Sequence, residues 1–548
     1  MGKNNTKGSA KSAAQKPITK KPTAQKEARR GFLFPMLPIP LVVFLLVWLW
    51  AAWWQGDVFR MVRENSFFAF DNTLMNYELQ HSYGYLWAIG RCLLTTFRYP
   101  VVGGFLLALL LTSCCWMLGY TMRLRPAWRW VEWLPLGVYV GVFTYQGLNN
   151  WFEAESGQAM GIPFAAFVVL SIWTIIIRSF SRHPKVGKHP LSPCRANEGV
   201  SRRQNAVQAL FVVLMLAVPM GWASCARPYV RPLASMQVDV MNQNWNGVIK
   251  TAQDNAELSY RPMAAQYIIA LVQTGQQCEK LFEMRLDYDS LYITGMNGDH
   301  QNATNIYLME CDYHAGLVQA AYHHAMENMA MVGPTIRNLK MLCKTALLRS
   351  EWALAEKYLY ILDQVPFEGD FVTRYRAMLN NPEAVNADPE VAMVRLTEPI
   401  HDNFENNFVQ PVFLGYTAAL VEGRSINALW NSLMVNIYTK TMPEFIFRSQ
   451  AIQGTTPPKS IAEALCLMAN KQPELANAFN GLEMHRGRLG AFIRECGDML
   501  KSSESRAQHA RELFPKYKGY YPYYYFFGNL KATRKSSDKK ESSNSGVN

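Results

Sequence analysis

Two things are scarce in this 548-residue chain: charge inside its apolar runs, and any long apolar run beyond residue 225. Five runs precede that point, at residues 32–54, 101–120, 133–152, 161–177 and 206–223, and none contains Asp, Glu, Lys, Arg or His. Each is close to the ~20 residues that a helix needs to cross a ~30 Å hydrocarbon core. Charge-free spans exclude a proton- or ion-coupled transporter working alone, because such pathways need ionisable groups inside the membrane. A cleavable signal peptide is excluded as well, since the first run is long and no cleavage-like site follows it.

Other chemistries are missing too. The chain has ten cysteines but no CxxC pair, and Cys278, Cys311, Cys343, Cys466 and Cys496 are an odd set in the second half, which argues against a disulfide scaffold or a zinc site. No Gly-rich phosphate loop, nucleophile elbow or HExxH motif occurs, so no catalytic residue and no cofactor are expected. Alternating strand patterns are lacking, and the fold class is expected to be all-α.

What is present is basic charge, and its location decides its meaning. The formal charge of +13 could suit nucleic acid. Lys3 to Arg30 before the first run, Arg123, Arg125 and Arg129 after the second, and Arg178 to Arg203 after the fourth instead carry the cytoplasmic signature of membrane loops. No nucleic-acid partner is expected; the bilayer is. Five spans with an inside N-terminus put everything after about residue 230 outside the cytoplasm. Residues 1–30 read as a disordered basic tail, 31–226 as a bundle of about five transmembrane helices, 230–530 as an extracytoplasmic domain and 531–548 as a polar tail. Tyr77–Phe97 mixes aromatics with Gln80, His81 and Arg91. It reads as an amphipathic helix at the outer surface in preference to a sixth span, which would bury Arg91.

From Ser235 onward the periodicity is that of short helices. The clearest pair is Thr335–Leu348 and Trp352–Leu362, with stripes Leu339, Leu342, Cys343, Ala346, Leu347 and Leu354, Ala355, Tyr358, Leu359, Leu362 separated by Arg349-Ser350-Glu351. Apolar helical segments are also expected at Leu258–Gly275, Asn305–Val332, Gln410–Val421, Ile426–Tyr438, Ile461–Ala469 and Leu489–Leu500.

The hairpin at 335–366 resembles a tetratricopeptide repeat: Ala355 matches the small residue of its second helix, and Leu342, Leu359 and Leu362 fall on its apolar positions. It departs in having Cys343 at the small position of the first helix. More broadly, with Glu351-Trp-Ala-Leu-Ala-Glu-Lys-Tyr-Leu-Tyr-Ile-Leu as its most recognisable phrase, the chain resembles an uncharacterised family of Bacteroidetes membrane proteins that join a few N-terminal spans to a divergent helical-repeat domain. The resemblance implies a TPR-like helical-repeat domain in a bacterial envelope; with the basic-loop topology, the N-terminus is expected in the cytoplasm and the repeat domain in the periplasm. It transfers no catalytic residue.

Candidate sites are few. His323 and Glu327, four apart on one helical face, could share a metal, while His314 falls on the opposite side; a solvated face is the preferred reading. Asp287, Asp289, Asp299 and His300 read as an exposed turn. Asp57, Glu64, Asp71 and Glu78 in the first outer loop suit a glycosyltransferase-like enzyme acting on lipid-linked sugars. Tyr520, Tyr521, Tyr523, Tyr524 and Tyr525 form an aromatic patch that offers an interaction surface for a protein or peptide, or a cap on the last repeat. The function expected is a non-enzymatic, inner-membrane-anchored scaffold for an envelope protein or peptide. An envelope enzyme or an accessory subunit of a transporter is the alternative.

Overall fold

A computed structural model describes residues 39–80, 83–122, 126–152, 154–181, 202–258, 260–286, 309–398 and 426–528. Among them the chain is helical throughout, with no strand. Asp287, Asp289, Asp299, His300, the basic tail, residues 32–38 of the first run and the segment Gln410–Val421 lie outside the described residues.

The first helix, α1 (Ile39–Leu49), runs through a π-helical turn (Trp50–Trp54) and bends by 63° into α2 (Gly56–Glu64). The bend separates an apolar segment from a strongly amphipathic one. Then come α3 (Asn72–Leu79), α4 (Gly84–Leu94) and α5 (Pro100–Met122). A 3₁₀ segment (Pro126–Trp133) leads into α6 (Leu134–Gln146), followed by the single turn α7 (Asn149–Phe152), α8 (Gln158–Ser181) and α9 (Arg202–Ala226). Three helices, α5, α8 and α9, are long and apolar enough to cross a membrane, and α1 with α2 would make a fourth as a broken span. The run at 133–152 differs from the expected single helix. Its helical core is the 13-residue α6, because the Pro- and Trp-rich entry winds as 3₁₀ and Gly147, at φ +55°, ends it.

Small residues let these helices touch. A Cβ on Gly90 of α4 would lie 2.1 Å from the Gly157 carbonyl and 2.8 Å from the Gly161 nitrogen at the start of α8, so the two backbones are in direct contact across a Gly-xxx-Gly step. Gly104 of α5 plays the same part against Ala52. Arg91 bridges to Glu155, with Nε and Nη2 at 2.9 and 2.6 Å from Oε1. At 11 residues, about 16 Å, α4 is too short to cross a bilayer.

The remaining helices pack mainly against their neighbours in sequence. These are α10 (Val230–Met241) with α11 (Trp245–Asp254) and α12 (Arg261–Gln273), the turn α13 (Gln277–Lys280), a helical stretch at 309–314, and α14 (Val318–Val332). The expected long helix over 305–332 is broken at Gly316, which takes φ +86°. The hairpin is α15 (Ile336–Leu348) and α16 (Trp352–Asp363). The Thr335 side chain caps α15 by accepting from Asn338 N at 3.1 Å, and Ser350, at φ +59°, makes the turn. All ten residues named in its two stripes are buried except Leu354, which is partly so. Beyond it lie α17 (Gly369–Arg376), α18 (Pro382–Ala387) and α19 (Pro389–Thr397). The C-terminal group is α20 (Ile426–Thr439), α21 (Met442–Ser449), α22 (Lys459–Ala469), α23 (Leu475–Ala478), α24 (Glu483–Cys496), α25 (Ser503–Tyr517) and α26 (Tyr521–Phe527).

The first interhelical loop belongs to the hairpin's core. Ile336 N donates to Ser66 O at 3.1 Å and Phe70 N to Gln364 O at 3.1 Å, while Phe67 and Ala69 are buried with Leu339 and Leu359. Helix α2 also packs on α10.

Candidate functional site

Where α2, the hairpin and α10 meet, they enclose a cleft of about 240 Å³. One face of α15 supplies Arg337, Lys340, Met341 and Lys344, spaced i, i+3, i+4, i+7. Opposite stand Arg60 and Glu64 of α2, Arg98 at the entry to α5, Glu368, Asp370 and Arg374 around the start of α17, and Glu390 of α19.

Most of these charges neutralise one another. Lys340 Nζ lies 3.0 Å from Glu64 Oε2 and 2.8 Å from Glu368 Oε2, and both carboxylates also pair with the fully buried Arg63. Arg63 Nη2 donates to the Pro366 carbonyl at 3.2 Å. Lys344 Nζ donates to Glu390 Oε1 at 2.6 Å, while Tyr375 and Gln243 donate to Glu390 Oε2 at 2.9 and 2.5 Å. Burial works to raise the Glu390 carboxyl, but the Lys344 ammonium and these hydrogen bonds outweigh it and hold the group below the ordinary value. Burial pushes the neighbouring His314 down to about 4, so it is neutral near pH 7 and Lys344 supplies the cation. Arg337 gives Nε to Glu310 Oε1 at 2.8 Å and Nη1 to Gln237 Oε1 at 3.3 Å. Its Nη2 is buried without an acceptor.

Arg60 and Arg98 are different. Arg60 Nη2 donates to Asn242 Oδ1 at 3.3 Å; among the described residues it makes no ion pair, though Glu64 and Asp57 attract it from further off. Arg98 makes no hydrogen bond or ion pair among the described residues, and the two guanidinium groups repel one another. The cleft is therefore a largely paired network with a positive end, where Arg60 and Arg98 share the attraction of Glu64 with Arg63 and Lys340.

The acidic residues of the first loop do not converge as an acid–base pair. Glu64 is committed to cations, burial raises the Asp57 carboxyl against the pull of Ser235 and Arg60, and Asp71 Oδ1 starts α3 by accepting from Thr73 N at 2.7 Å; Glu78 belongs to α3. The ligand atoms of His323, His324 and Glu327 lie within 4.8 Å of one another, close enough to hold a cation together. His324 Nε2 also faces Asp312 Oδ2 at 3.4 Å. His314 stands apart, its ring edge-on to Trp245 and its carbonyl accepting from Gln273.

The aromatic patch faces inward. Tyr520, Tyr521, Tyr523 and Tyr524 are buried and Tyr525 is partly exposed, so only Tyr525 offers any surface to a partner. Tyr524 Oη donates to Tyr438 O at 2.8 Å, Tyr523 to the Ala510 carbonyl, and Tyr521 N donates to Glu463 Oε2 at 2.8 Å. The rings pack inside, where backbone carbonyls receive the hydroxyls of Tyr523 and Tyr524.

Sequence reasoning picked out the hairpin's apolar stripes but passed over its charged one. The signal was there in Arg337, Lys340 and Lys344, three cations on one helical face. What was missing is that the partners of Lys340 and Arg63 lie 276 and 303 residues away.

Residues 148–528 match a family described as Family of unknown function (DUF6057). No curated protein and no solved structure matches the chain.

Proposed function

The chain belongs to the DUF6057 family, whose function is unknown, and from that starting point we propose that it acts by binding: it is a membrane-anchored helical-repeat scaffold that holds an envelope protein or peptide at the charged cleft. The observation that carries this reading is the joint construction of the cleft. Residues from both sides of the spans, α2 and Arg98 on one hand and α15, α17 and α19 on the other, make a single recessed surface. A recessed, pre-organised array of hydrogen-bonding charges suits recognition.

The same contact supports five crossings. Loop residues 65–70 share a core with the hairpin, so both lie on one side of the membrane, and an even number of crossings must separate them. Helices α5, α8 and α9 are three. The segment 126–146 supplies the fourth: it runs beside α9 from Trp130 stacked on Phe211 to Tyr145 stacked on Trp222, and Arg227 reaches back to the Gln146 carbonyl at 2.9 Å. With α1 the count is five. Basic residues before α1 put the N-terminus in the cytoplasm and the stacked, TPR-like helix pairs on the periplasmic side of a bacterial inner membrane. An enzymatic reading would need an uncommitted acidic pair in the first loop, and Glu64 and Asp71 are otherwise engaged.

Photo-crosslinkers placed at Asn242 and Asp370 on the cleft rim, in intact cells, test this. The expected result is a protein adduct from both positions that is lost in Arg374→Ala and never forms from Glu356 on the exposed side of α16. Equal capture from Glu356, or capture indifferent to Arg374→Ala, would sink the reading.

A further inference from the structure

The positive end of the cleft has a specific chemistry. Arg60 and Arg98 bring two planar, multiply donating guanidinium groups to one end of the cleft, and the Glu64 carboxylate that attracts both is already shared with Arg63 and Lys340. Two like charges lining one half-buried end repel, and an anion bound between them relieves that repulsion. Deeper in the same cleft, Arg337 is 3% exposed and keeps one buried N–H group, on Nη2, without an acceptor. The carboxylates that could serve are taken: Glu64 and Glu368 by Arg63 and Lys340, Glu390 by Lys344; Asp370 stands exposed on the rim.

The level of this end is marked by aromatic rings. Arg98 is two residues before Pro100, the first residue of the apolar 23-residue α5. Between them Tyr99, 54% exposed, meets Phe367 edge-on with ring centroids 6.0 Å apart. Phe367 is 49% exposed and is held at φ +67°, an unfavourable conformation for a residue of its size. Exposed aromatic rings at the end of an apolar helix mark headgroup depth. Arginine is the side chain of choice for phosphate there, because its fork donates two hydrogen bonds at once.

We infer that Arg60 and Arg98 form a binding site for a phosphate group, entered from the membrane surface on the repeat domain's side. The inference rests on the cleft being the binding site and not on which protein docks above it. The phosphate can be carried by an anionic lipid headgroup or by a soluble phosphate ester, and the test separates the two. Full-length protein is purified in detergent and examined by native mass spectrometry with phosphatidylglycerol or phosphatidylcholine added. In parallel, its thermal midpoint in phosphatidylcholine nanodiscs is followed with glycerol 3-phosphate.

Retention of phosphatidylglycerol over phosphatidylcholine, weakened roughly tenfold or more in Arg60→Gln and Arg98→Gln and unchanged in the exposed control Lys357→Gln, supports a lipid phosphate. A midpoint shift with glycerol 3-phosphate, lost in the same two variants, supports a soluble one. Arg98→Lys should recover part of the binding, as it keeps the charge and loses the fork, and it separates loss of the site from loss of the fold. Binding of neither probe by the wild-type protein, or equal binding by the Gln variants, overturns the inference. If the rim crosslinks persist in that case, the scaffold reading stands without it.

Discussion

Lys340 is the residue on which two buried acids depend. Glu64 and Glu368 are each about 1% exposed or less, and both lean on Lys340 and Arg63. Removing one partner of such a group strands charge in a low-dielectric setting and typically costs about 3–5 kcal/mol. Lys340→Met is therefore expected to lower the unfolding free energy by that order, and chemical denaturation in detergent measures it. Glu463 gives the opposite kind of signal. Burial, opposed by its hydrogen bond from Tyr521 N and by Arg488, raises its carboxyl from 4.5 to about 7. Between pH 4.5 and 7 the folded chain thus binds more protons than the unfolded one, so this group makes stability fall as pH rises, by up to about 1.4 kcal/mol per pH unit. Glu463→Gln should flatten the pH dependence of the thermal midpoint across that window; an unchanged slope would refute it. At this scale the sequence was legible where partners are local, as in the Thr335 cap, and illegible where they are hundreds of residues distant.

Among the elements, the hairpin was the most legible, because its two stripes have the helical period and its turn is only three residues long. Helices α5, α8 and α9 were equally plain from their length and lack of charge. The run at 133–152 was harder: hydropathy averages over a window and does not see that Pro126–Trp133 winds as 3₁₀. The aromatic patch was readable as either surface or cap, since composition does not say which face is covered. The contact of α4 with α8 rests on glycine. Gly90→Ala would drive a methyl group against the Gly157 carbonyl, which as backbone cannot swing aside. Such overpacking is expected to destabilise by about 1–3 kcal/mol, read as a lower thermal midpoint in detergent, whereas Gly221→Ala, with nothing within 4 Å, should be neutral.

For the molecule as a whole, the contact between loop 65–70 and the hairpin constrains the threading more tightly than any hydropathy count. Cysteines introduced at Asn76, Ser156 and Asp370, with the exposed Cys225 replaced by Ser, are expected to react with an impermeant maleimide from one side of the membrane. A cysteine at Met122 should react only after permeabilisation. Labelling of Ser156→Cys together with Met122→Cys would show that segment 126–146 does not cross.

The partners of Arg63 also set a clock. Its part-buried hydrogen bond to Pro366 joins residues 303 apart. At about 5–20 residues per second, the ribosome delivers that carbonyl and the Glu368 carboxylate roughly fifteen seconds to a minute after the arginine emerges. Throughout that interval Arg63 has only Glu64 among its carboxylate partners. A nascent chain interrupted before residue 368 therefore leaves Arg63 with half of its carboxylate partners, and the first loop reaches its final arrangement only when the hairpin and the turn after it have been made.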